Sequence, residues 1–355
     1  MQAPRAPSPL APRAPSPLPL LPRADYFAPG LGANATKFVL HFDGGGECFS
    51  QPSCASKLTT SLGSSKYFAP SASFDGFFLL DPSPATNPGF ASWSHVRIPY
   101  CTQDLHMGTR TSAGAGTWGL LFSGHLVYEA VLAELERVGG LTAATDIILT
   151  GDSAGGIATW PKLASTAARY PAARVAGAPI AGMYFFSYPY NGPDAQPGGL
   201  APFSPAGMAA LYALYQPALD AACVAALPGS PGACMLSNNS LPFIAQDVFV
   251  TEAQSDSVQL TAHDNINAKD INNPPERAYI GAWAANMSVA LAPVMAPGAP
   301  RRGAFSPACF IHTSFSAAKP LIQGKNFLQA AAAWYSGAGE YKLADSCGLF
   351  CGVCP

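Results

Sequence analysis

Charge is what this sequence has least of. Asp, Glu, Lys and Arg make up 11% of its 355 residues, against about a quarter in an ordinary soluble chain. What charge there is nearly cancels, Lys+Arg 19 against Asp+Glu 21, and no block of one sign occurs. That speaks against a nucleic-acid partner, because phosphate binding needs a basic surplus. No uninterrupted run of about 18 apolar residues occurs, so no membrane span is expected. The chain also lacks an apolar signal core at its start. Residues 3–10 and 11–18 are instead the same octapeptide, Ala-Pro-Arg-Ala-Pro-Ser-Pro-Leu. Residues 1–30 therefore read as a disordered, polyproline-like leader.

Hydrophobic residues, by contrast, make up 49%, enough for a sizeable core and too many for whole-chain disorder. Nine cysteines are present. The spacings Cys48/Cys54 and Cys223/Cys234, and the tail Cys347, Cys351 and Cys354, look like disulfide usage. An odd count leaves at least one thiol unpaired. Zinc is the alternative for the tail, but the last histidine is His312, far upstream, so no metal and no cofactor are expected. Sequons at Asn34, Asn238 and Asn286 agree with a secretory route. The expected location is outside the cell or in a cell wall, reached with a signal peptide missing from this chain or by unconventional export.

Strand-like and helix-like segments alternate along the chain. Lys37–Phe42, Phe77–Leu80, Val96–Ile98, Asp146–Thr150, Val175–Ile180, Val248–Ala253 and Ala308–Ile311 read as strands. Helices are expected over Gly119–Val138, from Ala154 onward, and over Met208–Leu227, Pro275–Val294 and Asn326–Tyr335. The implied architecture is an α/β fold with a mostly parallel central sheet and helices on both faces. One domain is expected over 31–355, with a loop insertion near 186–240.

The strongest chemical signal is Thr150-Gly151-Asp152-Ser153-Ala154-Gly155-Gly156. It places Gly-x-Ser-x-Gly between a buried strand and a helix, the context in which the serine is a nucleophile on a sharp turn. The second is His41-Phe42-Asp43-Gly44-Gly45-Gly46-Glu47-Cys48. Backbone N–H groups of Gly44 and Gly45, with that of Ala154, are candidate oxyanion-hole donors. A phosphate loop is the alternative, but the Lys-Ser/Thr ending is absent. A base and an acid must follow the serine in the order acid, then histidine. His263 and His312 are the two histidines that follow; His312, beside a late strand, is favoured over His263, read as a solvated loop residue. For the acid, Asp256 ends an apolar strand. Glu252 is the runner-up, Asp247 lies at the strand's wrong end, and Asp264 and Asp270 read as surface residues.

Taken together, these blocks resemble the pectin acetylesterase family, which includes the lipid-removing carboxylesterase Notum. The resemblance covers residues 37–355. It rests on His41–Cys48 with Cys54, Thr60–Ser65, Ile98–Cys101, Phe122–His125, Thr150–Gly156, Val248–Leu260, Pro307–His312 and the Cys-rich tail. It implies an α/β-hydrolase-like fold, a serine esterase and no metal, with Asp256 (beside Gln259) and His312 as acid and base. Cys309 is a further candidate partner for the bridges of the tail. Asp152 stands where plant members often carry Cys, which makes Cys101 the candidate odd thiol. Gly46 stands where Notum has an aromatic residue, which implies a roomier or differently shaped acyl site.

The expected function is a secreted serine carboxylic-ester hydrolase that removes acetyl groups from a pectin-type polysaccharide. Its partner would be an acylated carbohydrate, and a monomer is expected. Two alternatives stand beside it: a Notum-like or lipase-like hydrolase of longer acyl esters, and a non-catalytic carbohydrate-binding homologue. Tyr184, Phe185, Phe186, Tyr188 and Tyr190 could stack on sugar, line an acyl pocket or simply pack over the sheet.

Overall fold

The computed structural model describes residues 25–299 and 301–355. Eight strands form one sheet: β1 (Tyr26–Ala28), β2 (Lys37–Phe42), β3 (Ser94–Ile98), β4 (Asp146–Asp152), β5 (Arg174–Ile180), β6 (Asp247–Thr251), β7 (Arg302–Ser306) and β8 (Lys342–Ala344). Their spatial order is β1-β3-β2-β4-β5-β6-β7-β8. β1 runs antiparallel to β3, and the other pairings are parallel. The helices are α1 (Gln51–Ala55), α2 (Gly124–Glu134), α3 (Ala154–Arg169), α4 (Pro205–Tyr215), α5 (Ala221–Ala226), α6 (Ser237–Ser240), α7 (Pro274–Met295) and α8 (Phe327–Ser336).

Strand side chains alternate between two faces, and both faces are covered, so both are apolar. Phe38, Leu40, Phe42, Leu149, Val248 and Val250 face α2, α3 and α7. Val39, Ile148, Ile180, Phe249 and Phe305 face α8 and the Leu79–Trp93 segment. This is the α/β-hydrolase-like layout that the sequence implies. α7 has the length and apolar composition of a membrane span. One stripe of it, Ile280, Trp283, Met287, Leu291 and Val294, is nonetheless buried in the core.

Several expectations are corrected. The Pro-rich leader was expected over 1–30. Residues 1–24 lie outside the described residues, and Tyr26–Ala28 form β1 because their backbone pairs with β3. Phe77–Leu80 is not a strand but a 3₁₀ turn over Phe78–Leu80, where Phe78 takes φ 48°. The helix expected from Gly119 starts at Gly124, since Trp118 and Gly119 have positive φ. The helix expected over Met208–Leu227 breaks at Gln216, φ 50°, and restarts under an Asp220 cap. The late strand is Arg302–Ser306 rather than Ala308–Ile311; the latter is a loop, held by a Cys309–Cys354 disulfide. The insertion near 186–240 lies between β5 and β6 and carries α4, α5 and α6.

The register brings the strand ends level. Phe42 pairs with Gly151, Asp152 with Ile180, Ile180 with Thr251, and Thr251 with Phe305. The chain order reverses direction between β2 and β4, the switch point where open α/β sheets bind ligands at their strands' carboxyl ends. Over those ends sits a third apolar cluster, including Tyr100, Tyr184, Phe203, Met208, Leu211 and Tyr215.

Candidate active site

Ser153 follows β4 directly and precedes α3. Its backbone takes φ 55° and ψ −121°, a conformation that a serine holds only when its surroundings force it. They do. The Ser153 N–H donates to Ile180 O at 3.0 Å. A Cβ on Gly155 would lie 1.9 Å from Phe42 O, and one on Gly151 2.5 Å from Gly155. The glycines thus let the turn close tightly against β2, leaving Ser153 at the positive end of α3.

Asp256 lies beyond β6 and is fully buried. Its Oδ1 accepts the N–H groups of Val258 (3.0 Å) and Gln259 (2.8 Å), and its Oδ2 lies 2.6 Å from His312 Nδ1. The loop that carries His312 is stitched to the acid's loop by Ser257 N–H to Ile311 O and Gln254 N–H to Pro307 O. Burial alone would lower the His312 pKa; the Asp256 carboxylate outweighs it and leaves the imidazole above its usual value. Nε2 is buried without a hydrogen-bond partner among the described residues.

Among the described residues, none of the other acid candidates bonds His312. Glu252 Oε2 accepts the Met183 N–H at 2.8 Å. Burial, reinforced by the neighbouring Asp256 charge, holds its carboxyl well above the ordinary range. Asp247 pairs with Arg174 at the opposite end of β6. Asp270 is exposed, but Asp264 is not a surface residue: it is buried and accepts the Ser187 hydroxyl at 2.7 Å. Nor is His263 solvated. It is buried with Nδ1 2.7 Å from Ala201 O, and burial pushes its pKa down to about 4.

Gly44 is corrected as an oxyanion donor. Its N–H donates to Asp152 Oδ1 at 3.2 Å and is therefore committed. Gly45, Gly46 and Ala154 have backbone N–H groups with no acceptor among the described residues. The glycine loop lies against Ser153, since a Cβ on Gly44 would sit 3.0 Å from Ser153 Cβ. Sequence reasoning did not single out Gly46: a run of three glycines offers three amides, and nothing local says which are left without an acceptor. Asp152 also bonds His41 Nε2 at 2.9 Å. His41, Asp43 and Asp152 bring ligand atoms within 4.8 Å of one another, but Asp152 is engaged by His41 and Asp43 by Arg97.

Sequence reasoning also missed Glu47. It is buried, its Oε1 accepts the Ala201 N–H at 2.8 Å, and burial pushes its pKa up to about 8. Tyr184 is buried beside these groups. Burial and the Asp256, Glu252 and Glu47 carboxyls raise its phenol, while a hydrogen bond with Ser153 acts in the opposite direction. Phe185 and Tyr190 are also buried, Phe186 is half-buried and Tyr188 is exposed.

Disulfides link Cys48–Cys54, Cys223–Cys234, Cys309–Cys354 and Cys347–Cys351. Cys101 is free, its thiol pushed up to about 11 by burial.

A sequence profile of the pectinacetylesterase family matches residues 22–354. Pectin acetylesterase 5 of Arabidopsis thaliana is 37% identical over 134 residues, a match spanning 38% of this chain and only 31% of that protein's length. Pectin acetylesterase 7 of the same plant is 26% identical over 94% of this chain and 87% of its own. The palmitoleoyl-protein carboxylesterase Notum of Drosophila melanogaster is 28% identical over 66% of this chain and 35% of its own. The crystal structure of the Drosophila Wnt deacylase Notum superposes with a TM-score of 0.80 at 24% identity, over 93% of each chain. That last likeness is one of fold.

Proposed function

The chain belongs to the pectinacetylesterase family, and we propose that it is a secreted serine carboxylic-ester hydrolase that removes acetyl groups from a pectin-type polysaccharide. The observation that carries the reading is the Asp256–His312 pair at 2.6 Å, set at the same end of the sheet as a serine in a forced turn.

In this reading Ser153 Oγ attacks the acyl carbon while His312 Nε2 takes its proton. Asp256 keeps the Nδ1 proton in place and stabilises the imidazolium that forms. The N–H groups of Ala154, Gly45 and Gly46 receive the developing oxyanion. His312 then hands its proton to the departing sugar oxygen. Water, deprotonated by the same nitrogen, cleaves the acyl-serine and releases the acid. Secretion is supported by four disulfides, the chemistry of an oxidising compartment. Of the sequon asparagines, Asn286 is exposed, Asn238 is half-buried, and Asn34 donates its Nδ2 to Ser92.

The test is acetate release from acetylated pectin and from aryl acetates, by wild type and Ser153→Ala. The expected result is turnover by wild type alone, with an unchanged Tm and phosphonate labelling at Ser153. Retained turnover in the variant overturns the assignment of the nucleophile. Octanoate turned over as well as acetate moves the substrate to the longer-chain alternative. A correctly folded wild type inert toward every ester leaves the carbohydrate-binding alternative.

A further inference from the structure

The segment between β5 and α4 has no regular structure, yet residues 198–201 are pinned at four points. Gly198 N–H donates to Asn265 Oδ1 (2.8 Å), Leu200 N–H to Ala262 O (3.1 Å) and Ala201 N–H to Glu47 Oε1 (2.8 Å). Ala201 O accepts from His263 Nδ1 (2.7 Å). This strap bridges the glycine loop on one side and the turn that follows Asp256 on the other.

Leu200 is the side chain that the strap sets against the glycine loop. A Cβ on Gly46 would lie 2.9 Å from Leu200 Cδ2. The room left by the missing side chain at Gly46 is therefore filled from 154 residues away, counting Gly46 to Leu200, which favours the differently shaped site over the roomier one. Leu200 also lines a hollow of about 480 Å³, walled by Phe49, Tyr190, Pro202 and His263. The leucine thus touches Gly46 on one side and this open, mainly apolar hollow on the other.

Resting on the esterase reading above, we infer that Leu200 determines acyl-chain length, admitting acetyl and stopping longer chains at the wall it makes with Gly46. The ester has two arms at the reacting carbon. The polymer arm must lie on the open side, because a polysaccharide cannot be enclosed. The acyl arm is left to face the apolar strap. With Leu200 in place that arm meets a branched side chain held by a pinned backbone. With Leu200 shortened, it would enter the hollow behind.

The test is kcat/KM for p-nitrophenyl acetate, butyrate and octanoate with wild type, Leu200→Ala, Leu200→Val and, as a distant exposed control, Val289→Ala. In Leu200→Ala the octanoate-to-acetate ratio should rise by at least about 10-fold, the order expected for a few methylenes gaining an apolar site. Leu200→Val should give a smaller rise and serves if the alanine variant folds poorly; Val289→Ala should match wild type. A wild type that favours acetate, with a ratio unmoved in both Leu200 variants, overturns this inference alone. A wild type that already favours octanoate overturns it together with the acetyl reading, and one inert toward all three esters overturns it together with the esterase reading.

Discussion

The Asp152 carboxylate ties the residue before the elbow serine to the glycine loop: its Oδ1 lies 3.2 Å from the Gly44 N–H and 2.9 Å from His41 Nε2. Asp152 therefore sets the position of the next amides, Gly45 and Gly46, without touching the reacting atoms. Asp152→Ala is expected to lower kcat by about 10-fold or more while leaving KM close to wild type, because a loosened oxyanion hole weakens only transition-state binding. Steady-state kinetics on an aryl acetate check this. A rise in KM with unchanged kcat would show that Asp152 shapes substrate binding instead.

In the proposed mechanism His312 serves as the base only when neutral, and its pKa is raised, chiefly by Asp256, against the opposing effect of burial. Activity should fall as the pH drops through that pKa, with an acid-limb midpoint above the ordinary histidine value of about 6.5. Asp256→Asn removes the larger raising charge and leaves the burial, opposed only by the weaker effect of Asp152. The midpoint should move down, and kcat should fall by about 10⁴. The pH profile of the residual activity measures both. Glu252→Gln, at the acid whose Oε2 accepts the Met183 N–H rather than meeting His312, should keep the wild-type profile.

Glu47 is buried with a pKa of about 8, so it folds protonated at neutral pH while the unfolded chain ionises near the ordinary glutamate value. The folded pKa is the higher one. Folding therefore takes up a proton between the two values, and stability is lost as the pH rises from about 4.5 towards 8. Glu47→Gln keeps an oxygen for the Ala201 N–H and has no proton to take up. Its Tm should match wild type near pH 4 and exceed it increasingly up to pH 8. Thermal melts across that range test the sign.

The Cys309–Cys354 bridge closes a separation of 45 residues just before His312. Removing it with paired serines should destabilise the protein by about 2–5 kcal/mol and should slow turnover through the loosened base. Denaturant melts and kinetics of the double variant check the two effects. Peptide mapping without reduction should find Cys101 as the one free thiol among the nine cysteines.

The Ser153 turn was legible because its demands are local. The glycines flank the serine within two residues, and their absent side chains record a close approach that no other residue permits. The central strands were legible as apolar runs for a similar reason. Ala308–Ile311 was misread because a short apolar run looks the same in a strand and in a disulfide-held loop. His263 and Asp264 were misread as solvated because the loop they occupy is covered by the 186–204 segment, and polar residues carry no mark of what covers them.

The sequence by itself determined the α/β alternation, the elbow at Ser153 and the types of residue available to serve it. Only the tertiary structure decided which glycine amides are free, which acid meets His312, and what fills the space at Gly46. Each of those rests on a contact between distant residues: Gly44 with Asp152 across 108 positions, His312 with Asp256 across 56, and Glu47 with Ala201 across 154. A turn writes its steric needs into neighbouring residues, whereas a long-range neighbour is set by sheet order and loop path, which no short stretch of chain encodes.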